Sequence, residues 1–352
     1  MTKTSKLMLA VLAVCGTSAA LAQSSVTLYG RVNTTIENHK VGNLSATGMV
    51  NNSSYFGLKG VEDLGNGLKA GFILESSFNS DTGAGSTSGL DFTRSSELNL
   101  SGGFGTLRLG TFDPASLLAT TDAVSMHNHD TGTSADALHY TSGPTSNKVA
   151  YVSPEFAGFV AEAQYAFGEK AGYKADGSNI GNNETRGAVD LALTYNNGPL
   201  GLGFGYTDKA FKQDGGLGPK QSENQYAFRA SYSLGDLTLA GYYQHIETDK
   251  VSGDYNKRNA YRLAAMYTLG ASEFHVNYGR TSKEKTRAGS KANSGASQWT
   301  LAYNYNLSKR TKAYALYTNV NNSSVAQYGS SFLTKARGQD VRAFGVGIRH
   351  LF

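Results

Sequence analysis

The feature that most constrains this chain is an alternation of apolar and polar residues with a period of two. Near the start, Val26 and Leu28 alternate with Thr27 and Tyr29, and similar runs recur to the last residue. Successive side chains of a β-strand point to opposite faces, so this period is typical of strands with one apolar and one polar face. The pattern predicts an all-β protein.

Sixteen strands are predicted, and turns or loops separate them. They cover 26–37, 54–60, 67–77, 91–100, 104–111, 147–153, 158–168, 187–196, 200–209, 224–234, 237–247, 257–269, 273–282, 297–307, 311–320 and 341–352. Short turns, mostly containing Gly, alternate with long polar connections at 38–53, 78–90, 112–146, 169–186, 210–223, 248–256, 283–296 and 321–340. Both chain ends therefore lie on the short-turn side.

The composition of the two faces favours a membrane barrel over a soluble sandwich. One face carries Leu, Val, Phe and Tyr, and the other carries Gly, Ser, Thr, Asn and charged residues. Hydrocarbon cannot satisfy backbone groups, so a sheet in a membrane must close on itself. An even number of strands closes antiparallel, and sixteen leave room for an aqueous channel. Tyrosines and a tryptophan on the apolar face indicate a membrane boundary: Tyr226, Tyr232, Tyr261, Tyr267, Trp299, Tyr303, Tyr305 and Tyr314.

The first 22 residues are predicted to be a cleaved signal peptide. Lys3 and Lys6 precede a short apolar run, and Ala20-Leu21-Ala22 forms a small-residue cleavage site. A lipoprotein signal around Cys15 is the alternative, but Val14 is bulky for the residue before a lipidated cysteine. The mature chain would cover 23–352 without a cysteine, so disulfides would not stabilise it.

The charge of the chain argues against nucleic-acid binding. The formal net charge is only +5, and no basic run is interleaved with aromatic residues. No Gly-x-Ser-x-Gly motif or other placed nucleophile is present, so an enzyme is not expected. The glycines of 201–205 lie within a predicted strand and precede no helix, which excludes a phosphate-binding loop there.

The alternation stops at 112–146, which is the longest connection. Structureless loops of this length in compact domains are usually functional or disordered, or indicate a wrong element assignment. The segment has no Lys or Arg but has four acids, Asp113, Asp122, Asp130 and Asp136, and three histidines, His127, His129 and His139. We predict that this third long loop folds into the barrel lumen. His127, His129 and Asp130 could bind a metal or sense pH, but two ordinary histidines at a polar loop tip are the favoured interpretation.

Several motifs, in this order, resemble those of Gram-negative general diffusion porins, especially from beta-proteobacteria. They are 25–31 (SVTLYGR), 56–65 (FGLKGVEDLG), 103–107 (GFGTL), 147–159 (NKVAYVSPEFAGF) and 347–352 (GIRHLF). The resemblance covers the whole mature length. It implies a homotrimer of 16-stranded antiparallel transmembrane β-barrels with short periplasmic turns and long extracellular loops. It also implies that 112–146 is a constriction loop and that Phe352 is a signal for outer-membrane assembly.

Within this resemblance, basic residues on the barrel wall face the acidic loop. Alternation points Arg31, Lys59 and Arg108 into the lumen, and Lys148 and Arg94 are further candidates. Strict alternation from Leu98 and Leu100 would place Arg94 outside, unless a bulge intervenes. Three positions where the family is usually basic are not basic here: Tyr55, Thr111 and Pro144. Any anion preference is therefore expected to be weak.

The predicted function is passive diffusion of small hydrophilic solutes and ions through a water-filled trimeric channel in the outer membrane. A substrate-specific channel for sugars or small anions is the alternative, and a purely adhesive barrel is a further one. No cofactor is expected. The expected partners are two further copies of the chain, outer-membrane lipid and lipopolysaccharide, the outer-membrane assembly machinery, and the solutes themselves.

Overall fold

The computed structural model describes residues 25–85, 89–124, 137–139, 143, 145–168, 185–212, 220–249, 255–329 and 331–352. These residues form one antiparallel sheet that closes on itself. Its strands are β1 (Ser25–Val41), β2 (Leu44–Asn51), β3 (Tyr55–Gly65), β4 (Leu68–Ser77), β5 (Ser95–Gly102), β6 (Gly105–Thr111), β7 (Lys148–Val152), β8 (Phe159–Ala166), β9 (Thr185–Asn197), β10 (Leu200–Lys212), β11 (Lys220–Leu234), β12 (Leu237–Asp249), β13 (Tyr255–Leu269), β14 (Ser272–Thr281), β15 (Lys285–Thr286), β16 (Gly289–Ser290), β17 (Ala296–Asn306), β18 (Thr311–Asn322) and β19 (Val341–Leu351). A short helix α1 (Ala115–Ala119) and a 3-10 turn (Asp122–Val124) follow β6.

The barrel closes between the first and last strands. β1 pairs antiparallel with β19, from Arg31 opposite Leu351 to Val41 opposite Val341. The seam continues to the last residue, because the backbones of Gly30 and Phe352 exchange two hydrogen bonds of 3.1 Å. The wall is a closed 16-stranded barrel, as predicted, so the described strands leave no sheet edge for lipid to meet.

The prediction of an irregular loop at 38–53 is wrong. The segment 38–53 is a hairpin, in which β1 continues to Val41, turns at Gly42 in a left-handed conformation (φ 56°), and returns as β2. β2 and β3 both pair with β1, so together they occupy one position of the wall. The prediction failed because residues 38–40 are all polar and Met49 and Val50 are adjacent apolar residues, so the alternation is broken within the hairpin. β15 and β16 likewise form a small hairpin in the loop after β14.

The two faces separate apolar from polar side chains as the alternation predicts. Directly paired residues share a face, so the register carries the assignment around the whole wall. Exposed leucines such as Leu98, Leu263 and Leu301 point outward. Polar residues between them, such as Asn277 and Thr300, point inward and are buried. Among the described residues no helix is long and apolar enough to cross a bilayer.

The aromatic residues predicted for the outer face lie there, with one exception. Tyr314 points inward, is 5% exposed, and donates a hydrogen bond of 2.6 Å to Asn33 Oδ1. It is paired with Asn304, another lumen residue. The prediction was wrong because a tyrosine suits either face: its ring packs on apolar neighbours and its hydroxyl binds polar ones.

Candidate functional site

All five predicted bases lie on one continuous stretch of the lumen wall. Arg31 is on β1, Lys59 on β3, Arg108 on β6 and Lys148 on β7. Arg94 precedes β5, so the alternation of that strand does not extend to it. Its guanidinium lies 4.3 Å from the ring centre of lumen-facing Tyr55. Arg94 therefore lies on the lumen side, where strict alternation from Leu98 and Leu100 would not place it.

Two of the five bases do not act as free charges, because lumen glutamates neutralise them. Arg108 donates to Glu97 and to Glu162, each at 2.7 Å. Arg94 Nε donates to Glu75 at 3.0 Å. These three glutamates were missed as site residues, although the period-two pattern that selected Arg108 also points them inward. Register and charge together would have found them.

Two further bases serve the structure of the wall. Lys148 is 3% exposed and donates to Gln164 Oε1 at 2.7 Å and to the Asp113 carbonyl at 3.2 Å. It thus fixes the start of the loop after β6. Arg31 donates twice to the Ser53 carbonyl, at 2.8 and 3.1 Å, and so holds the break between β2 and β3. Both side chains are largely removed from the lumen water.

Lys59 differs from the other four. Its side chain is exposed, and its ammonium lies 4.9 Å from the ring centre of Tyr29. No carboxylate of the described residues lies within ion-pair distance of it. Lys59 is therefore the base on this wall whose charge reaches the lumen with the least compensation.

The loop after β6 folds into the barrel and packs against the opposite wall. Its helix α1 is held by Asp190 of β9, which is 2% exposed. Asp190 accepts hydrogen bonds from the Ser116 amide (2.8 Å), the Ser116 hydroxyl (2.5 Å) and the Thr207 hydroxyl (2.6 Å). A buried carboxylate with three donors is a strong anchor.

Two glycines of β10 make room for this helix. A Cβ on Gly205 would lie 2.8 Å from the Ser116 Cα, and one on Gly203 would collide with the Ala119 carbonyl oxygen. The Gly-Leu-Gly-Phe-Gly run thus lets the backbone of α1 approach the strand closely. We call Asp190, Gly203 and Gly205 the loop-docking site.

Further along, the loop makes apolar contacts with two other parts of the wall. Val124 is fully buried in a cluster with Tyr242 and three wall alanines. Leu138 is fully buried against Val41, Val320 and Val341, on the far side of the lumen. The described part of the loop therefore covers β9–β13 and the region of β17–β19. Arg31, Lys59 and Arg94 are not among the wall residues of these contacts, whereas the Arg108 guanidinium lies 4.1 Å from the ring centre of Phe112 at the start of the loop.

His139 lies where the loop meets β12 and β13. Its ring packs edge-on against Tyr242 at 4.9 Å, and both ring nitrogens are shielded from solvent. Burial, with Arg262 and Arg258 nearby, holds the pKa of His139 well below its usual 6.5. The unfolded chain would bind a proton near that pH and the folded chain would not. Acidification below 6.5 therefore works against the folded loop.

Of the acidic loop residues, two are described. Asp113 and Asp122 are both exposed. Asp130, Asp136, His127 and His129 lie outside the described residues, so their predicted roles stay predictions. Within the described part of the chain, no three His, Cys, Asp or Glu side chains are grouped to hold a metal.

Comparison with known proteins gives a consistent picture. A family model described as Gram-negative porin matches residues 9–324. The chain is 33% identical to outer membrane porin protein 32 of Delftia acidovorans, over 99% of this chain and all of the relative. It is 29% identical to an outer membrane porin protein of Bordetella pertussis, over 95% of this chain and 96% of the relative.

Comparison with solved structures also identifies outer-membrane proteins of the same fold. An anion-selective porin from Comamonas acidovorans superposes with a TM-score of 0.78 at 30% identity, covering 94% of this chain and all of that one. A trimer form of OmpT from Vibrio cholerae matches with a TM-score of 0.66 at 16% identity, covering 94% and 99% of the two chains. At that identity the second match supports the fold alone.

The loop-docking site predicts that a side chain at Gly205 will displace the loop, and Gly201 of the same strand provides a control. Gly205→Val should push α1 from β10 into the lumen and lower single-channel conductance by roughly 20–50%, because close-packed contacts pass added volume to their neighbours. Gly201→Val is the matched control: its Cβ would meet the movable Ser231 hydroxyl and no part of the loop. Equal conductance of the two variants in planar bilayers would contradict the assignment.

Proposed function

The chain belongs to the Gram-negative porin family and is an outer-membrane porin, and we propose that its lumen passes small hydrophilic solutes and ions with a weak preference for anions. The observation that carries this proposal is the exposed Lys59 on the wall opposite the docked loop. A charged residue at a narrow point biases the passage of ions. The anion selectivity of the Comamonas porin supports the same sign.

The preference is weak because the charges nearly balance. Arg94 and Arg108 are paired with glutamates, and Lys148 is buried. Asp113 and Asp122 expose negative charge on the loop. We therefore propose that Lys59 contributes more to selectivity than the other wall bases. In this proposal the segment 112–146 is the constriction loop.

We further propose that the barrel assembles as a homotrimer through the outer face of β19 and β1–β6. Tyr and Trp collect where a protein meets the membrane–water boundary. From β7 to β18 the outer face carries them on most strands, including Tyr151, Tyr232 and Tyr261. Among described residues 25–149, both tyrosines, Tyr29 and Tyr55, face the lumen. A face without boundary aromatics suits a neighbouring subunit better than lipid.

Two other partners follow from exposed groups. Phe352 closes the barrel seam, and its side chain is 39% exposed on the outer face, which supports a role as the assembly signal. Arg280, Lys283 and Lys285 are exposed at the extracellular rim beside the aromatic sector. Basic clusters there suit the phosphates of lipopolysaccharide.

The contribution of Lys59 to ion selectivity can be tested by removing its charge. Lys59→Gln should lower the chloride-to-potassium permeability ratio about twofold, the size expected for one partly screened lumen charge. The measurement is the reversal potential of the reconstituted protein across a planar bilayer under a KCl gradient. Arg280→Gln removes one positive charge from the exposed outer face in the aromatic sector and should leave the potential unchanged. An unchanged potential in Lys59→Gln would refute the proposed role.

The subunit interface can be tested with a matched pair of outward leucines. Leu98 lies in the sector without Tyr and Trp, and Leu263 lies in the aromatic sector. Leu98→Arg should abolish most of the trimer, because an unpaired charge is costly to bury between subunits. Leu263→Arg should leave the trimer fraction unchanged. The fraction is measured by analytical ultracentrifugation in detergent. The opposite ranking would place the interface elsewhere.

A further inference from the structure

We propose that the lumen wall holds a weak binding site for small aromatic carboxylates. The site consists of an apolar surface, Tyr29, Tyr55 and Ile73, flanked by the cations Lys59 and Arg94. We call these five residues the aromatic shelf. The inference rests on the proposed function, since it gives the anions that pass this wall a preferred chemical class.

The aromatic part of the shelf is held in place by its neighbours. The Tyr29 hydroxyl donates to Glu75 Oε1 at 2.7 Å, so the ring lies across Gly57. A Cβ on Gly57 would lie 2.9 Å from Tyr29 Cζ, so the absence of a side chain there lets the ring lie against the wall. Tyr55 stands edge-on to Tyr29, with ring centres 6.3 Å apart and planes at 77°. The rings are therefore fixed before any solute arrives.

Ile73 extends the apolar surface beside the ammonium. It is paired across the strands with Lys59, so both side chains point into the lumen. Ile73 is only partly buried. An aliphatic side chain facing lumen water is unfavourable unless something apolar covers it. Lys59 thus has an aromatic ring on one side and an isoleucine on the other.

The charges beside this surface select an anion. Lys59 is exposed, and Arg94 is 31% exposed although one of its nitrogens binds Glu75. A carboxylate can bind between these cations while its ring packs on Tyr29 and Ile73. An uncharged sugar would gain nothing from the cations, and acetate would gain nothing from the rings. Such a site must bind weakly, because conduction requires that a bound solute can leave.

The experiment uses the full mature chain in planar bilayers and follows chloride current while a solute is added. Sodium benzoate should reduce the current along a saturating curve with half-block in the millimolar range, typical of a few-contact site. Sodium acetate carries the charge without the ring, and benzyl alcohol carries the ring without the charge. Neither should block. Equal block by benzoate and acetate, or a current that falls linearly with benzoate, would overturn the proposal.

Variants of shelf residues distinguish benzoate binding at the aromatic shelf from nonspecific block of the channel. Ile73→Thr keeps a branched, strand-compatible side chain, and Tyr29→Leu removes the ring. Each should raise the half-blocking concentration of benzoate, by about tenfold for Tyr29→Leu, the scale of one aromatic contact. Tyr232→Leu on the outer face is the control and should not change it. Unchanged block in both lumen variants would refute the site. If the unmodified protein carried no current in KCl alone, that result would instead count against the proposed conducting channel.

Discussion

The structure depends on one constraint: every backbone amide and carbonyl in the membrane must find a partner within the sheet. Closure of β1 on β19 meets it, and the period of two then divides the side chains between lipid and water. The inner surface is polar as a consequence, and asparagines, threonines and glutamines take the place of a hydrophobic core. Among the described residues, both buried apolar clusters form where the inward loop touches the wall, and Ala326 of the last long loop joins one of them.

The inward loop converts an open cylinder into a narrowed one. Its position is set by the wall as much as by its own sequence, through Asp190, Gly203 and Gly205 at one end and the Leu138 contact at the other. The described part of the loop packs on β9–β13, and its first residue, Phe112, contacts Arg108 and Lys148. Lys59 is the wall base left exposed to the lumen.

Much of the fold was predictable because alternation reports directly which face a residue occupies. The sixteen wall positions and the lumen orientation of Arg31, Lys59 and Arg108 followed from it, whereas the inward third loop was predicted from the length of 112–146 and from the porin resemblance. It failed in the hairpin 38–53, where the alternation is broken, at Arg94 outside its strand, and at Tyr314, because a tyrosine suits either face.

The contacts between particular side chains of the lumen wall depend on the strand register, which alternation alone does not give. Alternation cannot say which glutamate meets Arg108, nor that Asp190 and the glycines of β10 hold the loop. Tyr55 is instructive here. It stands where the family usually has a base, and its ring lies 4.3 Å from Arg94 and 5.3 Å from Arg31. An aromatic ring attracts a cation through its electron-rich face. The substitution therefore retains bases at this position of the wall instead of leaving a gap.

The most direct test of the account asks which of two adjacent residues meets water. The single cysteine of the sequence is Cys15, in the predicted signal peptide, so Lys59→Cys and Leu58→Cys each give a mature chain with one reporter thiol. A negatively charged, membrane-impermeant methanethiosulfonate reagent should change the single-channel current of Lys59→Cys and leave that of Leu58→Cys unchanged. A response from Leu58→Cys alone would contradict the assignment of faces on which the lumen, the loop and the selectivity all depend.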